Sequence, residues 1–241
     1  YILLVPMMVD SLIKIMRRVP PSELQEKYIG TNLKRICIGG ATVDPDNCRY
    51  LMENGFTVDS GYALTETTGV GTWGKWDKDH FNTIGRASNE LQCRIVDGEL
   101  QFKGPAIMKG YYKDAEATKV AIRDGWLHTG DLGFCDKDGY YYLTGRKKDL
   151  IVMSNGEKLN PEEVEKQFQN CDAIEACLIW YSKRDRFLCI EVYTKDKEAA
   201  RKNIELYNER VPLSYQIHRI VYRDKPFKRT ASGKLMRKER I

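Results

Sequence analysis

Apolar residues recur at helical spacing from Met7 to Met16, and a strand pattern follows at Arg35-Ile36-Cys37-Ile38, stopped by Gly39-Gly40. Pro45 then opens a helix that runs towards Asn54-Gly55, and Phe56-Thr57-Val58 supplies a further short strand. Strands followed by helices in this order predict parallel pairing, with ligands gathering beyond the carboxyl ends of the strands, at Gly39-Gly40-Ala41 and Gly61-Tyr62. From about Leu91 the period changes to two. Gln92-Cys93-Arg94-Ile95-Val96 and Leu100-Gln101-Phe102 flank Asp97-Gly98, and Asp138-Gly139 joins Phe134 to Tyr140-Tyr141-Tyr142-Leu143, which reads as antiparallel hairpins.

The pattern changes again after Gly145-Arg146. Leu150-Ile151-Val152 is followed by Asn160-Pro161-Glu162-Glu163, a helix start with a cap, Pro in the first turn and acid at the positive end. A small α+β portion is expected there. Its elements are a helix to about Gln169, strands at Ala176 to Tyr181 and Phe187 to Tyr193, a helix from about Lys197 to Glu209, and a strand at Arg219 to Tyr222.

Length and composition narrow the classes. At 241 residues, with 42% hydrophobic and 30% charged positions, the chain is expected to fold as two or three compact units. Its longest uncharged apolar run, Tyr1 to Val9, is broken by Pro6 and ends at Asp10, well short of the roughly 20 residues that span a bilayer. The run also lacks a basic leader and a cleavage site, so the expectation is a truncated start rather than a signal peptide. Seven scattered cysteines without a CxxC spacing argue against a disulfide framework or a zinc site and favour reduced, cytoplasmic thiols. The net charge of +5 is spread out except near the end, and aromatics are not interleaved with that basic stretch, so no nucleic-acid partner is expected.

Only three histidines occur, at 80, 128 and 218, without a triad or metal-ligand arrangement. The segments that can carry chemistry combine glycine with Thr, Asp, Glu, Arg and Lys, the residue types that hold a nucleotide. Gly61-Tyr62-Ala63-Leu64-Thr65-Glu66 follows a strand, where a Tyr ring could lie against a base while Thr and Glu face a phosphate and its metal ion; an ordinary capped turn has the same wording. In Asp124-Gly125-Trp126-Leu127-His128-Thr129-Gly130-Asp131, the last Asp suits the paired hydroxyls of a ribose or an Asx-turn. Gly145 and the glycine of Ser154-Asn155-Gly156 lie about the basic run of Thr144-Gly145-Arg146-Lys147-Lys148-Asp149, a place for a hinge or a charged linker. Thr230-Ala231-Ser232-Gly233-Lys234 presents one Lys after small polar residues, either a mobile charge or a surface turn.

In this order and spacing, from about Lys34 to the end, these segments resemble the adenylate-forming superfamily of acyl-CoA synthetases, luciferases and non-ribosomal adenylation domains. The wording Gly145-Arg146-Lys147-Lys148-Asp149-Leu150-Ile151-Val152 with Asn160-Pro161-Glu162-Glu163 most resembles the fatty-acyl-CoA synthetase branch. The resemblance implies an α/β fold. Residues 1–90 would be the carboxyl-terminal part of the large α/β adenylate-forming domain, 91–147 its antiparallel β subdomain, and 148–241 a small mobile α+β lid. It also implies that Gly40, Ala41, Gly61 and Tyr62 line the adenine and acyl pocket, that Thr65 and Glu66 serve phosphate and Mg²⁺, and that Asp131 holds the ribose hydroxyls. Arg146 would assist at ribose and phosphate, Lys148 would be the hinge, and Lys234 the catalytic lysine. The implied reaction uses ATP, Mg²⁺ and coenzyme A to activate a carboxylic acid.

The family's phosphate loop has no counterpart in these residues, so the missing amino-terminal half of the same enzyme is an expected partner, and an incomplete sheet edge with exposed apolar surface is expected around Tyr1 to Met16. The alternative is a truncated module of the same fold that binds nucleotide or a partner without catalysis.

Overall fold

The computed structural model describes residues 1–40, 43–168, 171–230 and 235–237. Two compact units emerge, one comprising Tyr1–Leu143 and the other Thr144–Thr230 with the stretch from Leu235 onwards. Ala41, Gln169 and Lys234 lie outside the described residues.

In the first unit, β1 (Ile2–Leu4), β2 (Arg35–Ile38), β3 (Thr57–Ala63), β4 (Gly71–Lys75) and β5 (Arg86–Ala87) form one sheet in that order. The first three strands are parallel, with α1 (Pro6–Met16), α2 (Pro21–Leu24) and α3 (Pro45–Glu53) in the connections. Helix α3 starts where its sequence demands. The Asp44 carboxylate accepts from the Asp46 N–H at 2.9 Å, and Pro45 sits where no N–H is needed. Val9, Ile13 and Met16 of α1 face Ile36, Ile38, Leu51 and Val58 in the core of this layer. β1 is an edge strand, and Tyr1, Leu3, Met7 and Met8 around it are exposed.

A second sheet follows in the order β10-β9-β7-β6, with β6 (Gln92–Val96), β7 (Glu99–Lys103), β8 (Ile122–Arg123), β9 (Trp126–Cys135) and β10 (Tyr141–Arg146), and with β8 paired to β9. Helix α4 (Ala115–Ala121), which no periodicity announced, is capped by the Asp114 carboxylate accepting from the Ala117 N–H. The two sheets meet where Gly85 bridges Tyr141, the Tyr141 N–H donating to the Gly85 carbonyl at 2.9 Å.

One sequence expectation is corrected here. Gly61-Tyr62 is not beyond the end of a strand but inside β3, which runs on to Ala63 and turns the sheet from parallel to antiparallel by pairing Gly61 with Trp73 and Tyr62 with Thr72. Glycine marks close packing in this place. A Cβ on Gly61 would fall 2.5 Å from the Trp73 ring. Gly85 is tighter still: its φ is +89°, and a Cβ would come within 1.9 Å of the Trp73 backbone. Gly85→Ala is therefore expected to destabilise the first unit by about 3 kcal/mol, read as a lower urea midpoint for that unit.

The second unit holds the hairpin β11 (Ile151–Val152) and β12 (Lys158–Leu159), helix α5 (Pro161–Lys166), and the sheet β13 (Ala176–Ser182), β14 (Phe187–Tyr193) and β15 (Ile217–Arg223), with α6 (Lys197–Asn208) between the last two strands. Helix α5 ends earlier than the expected Gln169, with Gln167 as its C-cap. The core joins Val164 and Phe168 to Ile179, Leu188, Ile190, Val192 and Ile204. No disulfide joins the described cysteines, and burial pushes the Cys48 and Cys177 thiols up to about 12, so both stay protonated near neutral pH. Among the described residues no helix is long and apolar enough to cross a membrane.

Candidate functional site

Gly40 lies two residues past the end of β2 and Gly61 inside β3, and these two strands pair in parallel with Ile38 opposite Ser60. Gly40 is exposed with φ +83°, a left-handed conformation that glycine adopts freely. Tyr62, one residue further along β3 than Gly61, stacks on Phe102 of β7 with ring centroids 6.1 Å apart and donates its hydroxyl to Asp131 Oδ2 at 2.5 Å.

Asp131 is placed by an irregularity in β9. Phe102 and Gln101 of β7 face Leu127 and His128, but Glu99 faces Leu132, so Leu100 is opposed by the three residues Thr129, Gly130 and Asp131. Gly130 takes φ +71° to make the bend. Three hydrogen bonds staple it: Thr129 Oγ1 donates to the Leu100 carbonyl at 2.7 Å and accepts from the Asp131 N–H at 3.0 Å, and the Gly130 N–H donates to the buried Glu99 carboxylate at 3.0 Å. The bulge turns Asp131 towards Tyr62, and the residue is only 4% exposed. A buried carboxylate of this kind is costly unless it accepts hydrogen bonds, and it suits a ligand that brings hydroxyl donors.

Thr65, Glu66 and Thr67 form a single tight turn after β3. Thr67 Oγ1 accepts from the Leu64 N–H at 3.0 Å and fixes the turn, leaving Thr65 exposed and Glu66 half-buried. Two contacts hold Glu66. Its carbonyl accepts from the Met108 N–H at 2.8 Å, and its Oε1 accepts from the Tyr111 hydroxyl at 2.8 Å. That hydrogen bond to Glu66, with burial behind it, raises the Tyr111 pKa and keeps the phenol a donor. Among the described residues no three His, Cys, Asp or Glu side chains cluster as a metal site. Glu66 fits Mg²⁺ as a lone hard oxygen donor, because this cation is usually carried by one or two carboxylates completed by phosphate oxygens and water.

In the second unit, Arg146, Lys147 and Lys148 are exposed at the end of β10 and in the short turn Lys147–Asp149. Asn160 organises the chain just before them. Its Nδ2 donates to the Thr144 carbonyl, while its Oδ1 caps α5 by accepting from the Glu162 N–H at 3.1 Å. A Cβ on Gly145 would lie 2.3 Å from that amide, so the glycine ahead of Arg146 is fixed by packing.

Comparison with known proteins bears on this arrangement at both ends of the chain. A family model described as AMP-binding enzyme matches residues 1–112, and one described as AMP-binding enzyme C-terminal domain matches 148–241. The chain belongs to the adenylate-forming superfamily. Within this superfamily, a long-chain-fatty-acid–CoA ligase of Bacillus subtilis is 28% identical over 84% of this chain and 39% of its own length. A 4-coumarate–CoA ligase-like protein of Arabidopsis thaliana is 30% identical over 91% of this chain and 43% of its own. The structure of O-succinylbenzoate coenzyme A synthetase from Bacillus subtilis in complex with AMP superposes with a TM-score of 0.79 at 25% identity, covering 97% of this chain and 49% of that one. The chain thus spans about two fifths of the length of the curated relatives and about half of the solved structure.

In this chain the structure brings Tyr62 to Asp131 and sets Gly40 past the end of the strand that pairs with the one carrying Gly61. It anchors Glu66 and presents Arg146 and Lys148 on the surface of the second unit. The sequence does not reveal Tyr111 as a holder of Glu66, because the two residues are 45 positions apart and no local pattern links them.

Proposed function

We propose that this chain is the carboxyl-terminal portion of an ATP-dependent acid–thiol ligase that makes an acyl-adenylate and then a coenzyme A thioester, with a fatty acid as the favoured substrate. The observation that carries the reading is Asp131, a buried carboxylate set by a bulge and held by Tyr62. In the first half-reaction the substrate carboxylate attacks the α-phosphorus of ATP, the bond to the β-phosphate oxygen breaks, and pyrophosphate leaves. In the second the thiol gives up its proton to water as its sulfur attacks the acyl carbon of the mixed anhydride, and AMP leaves with the electron pair of the broken acyl–oxygen bond.

Asp131 accepts the ribose hydroxyls beside Tyr62 and so fixes the nucleotide's sugar. Gly40, Ala41, Gly61 and Tyr62 line the adenine and acyl pocket, and Arg146 assists at ribose and phosphate. Thr65 and Glu66 face the phosphates, where Mg²⁺ held by Glu66 would offset negative charge. Lys234 supplies a cation to the α-phosphate and the attacking carboxylate together, and Lys148 is the hinge between the two half-reactions. The phosphate-binding loop comes from an amino-terminal portion of the same enzyme.

The test is carboxylate-dependent ATP–pyrophosphate exchange in the intact enzyme, with fatty and aromatic acids of increasing length, beside Asp131→Ala. Exchange is expected with at least one acid class, and Asp131→Ala is expected to raise KM for ATP by about 10–100-fold, the loss of one or two charged hydrogen bonds. An intact protein that binds nucleotide yet exchanges with no acid would be a binding module instead.

A further inference from the structure

The bulge in β9 that turns Asp131 towards Tyr62 is gripped at two points by one buried side chain. Glu99, the first residue of β7, is only 3% exposed. Its Oε1 accepts from the Gly130 N–H at 3.0 Å, and its Oε2 lies 3.2 Å from His128 Nδ1. The two contacts fall on either side of Thr129, so the carboxylate spans the bulge. A second tier stands behind the imidazole. His128 Nδ1 is also 3.1 Å from Gln101 Nε2, while Gln101 Oε1 accepts from Arg94 Nε at 3.0 Å, and the Arg94 guanidinium lies 3.7 Å from the Trp126 ring centroid.

A bulge takes its residues out of the ladder and leaves their backbone groups to find other partners. At Gly130 that partner is a carboxylate, a stronger acceptor than a strand carbonyl. Burying a carboxylate is costly, and closing an ordinary strand pair at this point needs none. What the carboxylate supplies is direction. With one oxygen on a backbone N–H and the other facing an imidazole, its plane admits one arrangement of residues 128–130, and Asp131 is the next residue along.

We infer that Glu99 is a positioning residue for Asp131, with His128 holding its second oxygen, and that this grip sets how sharply the site distinguishes a ribose from a deoxyribose in the nucleotide it takes. The inference rests on the reading that Asp131 accepts the ribose hydroxyls. Glu99 acts through the Gly130 N–H: when the bulge relaxes, the Asp131 carboxylate moves off the paired hydroxyls, and the sugar loses its fixed place while adenine and phosphates keep theirs.

The experiment compares ATP with 2′-deoxy-ATP in carboxylate-dependent pyrophosphate exchange by the intact enzyme, and reads the preference as the ratio of the two kcat/KM values. Wild type is expected to prefer ATP by about 10–100-fold, the worth of a hydrogen bond to a charged group, and Asp131→Ala to erase that preference. Glu99→Ala is expected to bring the ratio to within about threefold of unity, chiefly through KM for ATP, and Glu99→Gln, which keeps an oxygen for the Gly130 N–H, to retain a larger ratio than Glu99→Ala. Combining Glu99→Ala with Asp131→Ala should lower the ratio no further than Asp131→Ala alone, because the first residue acts through the second. Should Glu99→Ala fail to fold, His128→Ala, which releases Oε2 alone, carries the same test and is expected to lower the ratio by about threefold or more. A folded variant that keeps the full preference, or that loses activity with both nucleotides alike, overturns the positioning role while Asp131→Ala still erases the preference. If wild type shows no preference, or Asp131→Ala retains it, the ribose reading of Asp131 fails and the positioning role falls with it.

Discussion

Lys234→Ala in the intact enzyme is expected to cut carboxylate-dependent ATP–pyrophosphate exchange by about 10²–10³-fold while leaving thioester formation from a supplied acyl-adenylate nearly untouched. The asymmetry follows from charge. In the first half-reaction an anionic carboxylate approaches an anionic phosphate, and a cation held between them is worth most where water is excluded. In the second, a thiol attacks a neutral acyl carbon and AMP departs carrying its own charge, so the same cation has little to offset. Measuring the two steps separately decides the matter, and an equal fall in both would remove Lys234 from the adenylation step.

Glu165 carries the largest expected effect on stability. Its carboxyl is pushed up to about 7 from an ordinary 4.5, by burial first, with Glu162 adding to the rise while Arg237 and the Ile179 N–H pull the other way. Because the folded value exceeds the unfolded one, the native state keeps its proton between 4.5 and 7 while the unfolded chain releases it. The stability contributed is therefore full below 4.5, declines as pH rises through this window and stays low above it, a change of about 3 kcal/mol. Glu165→Gln should lose that dependence, so urea unfolding of wild type and variant at pH 5 and pH 8 should give a difference that changes with pH in this direction. Glu165→Ala goes further. It removes the partner of Arg237, whose side chain is 25% exposed, and leaves the buried Ile179 N–H without its acceptor, and is expected to cost about 3 kcal/mol, seen as an earlier unfolding transition of the second unit.

The elements that the sequence announces are those whose causes are local. Asp44-Pro45, Asn160-Pro161 and Asp196 each cap a helix with their own side chain, and Asp97-Gly98 closes the hairpin of β6 and β7 with both residues at positive φ. Gly61 misleads because its cause is remote. It reads as a turn, yet it is a strand residue made small by the Trp73 ring across the sheet. The site divides in the same way. Glycines and acids flagged Tyr62, Glu66 and Asp131, but the two-residue excess that aims Asp131 depends on where β7 ends its register with β9, which no single segment encodes. Glu165 and Arg237 stand 72 residues apart, and Arg237 looks from sequence like one more charge in a basic tail.

The hydrogen bond from Tyr62 to Asp131 closes a span of 69 residues and joins a strand of the first sheet to a strand of the second. Such a long-range contact forms only after the chain has met the entropy of closing the intervening loop, so a partly folded unit with its parallel strands in place would still lack it. The Tyr62–Asp131 contact therefore reports that both layers are complete, and a ligand that needed this pair would bind finished chains alone and withdraw them from the pool that can still unfold.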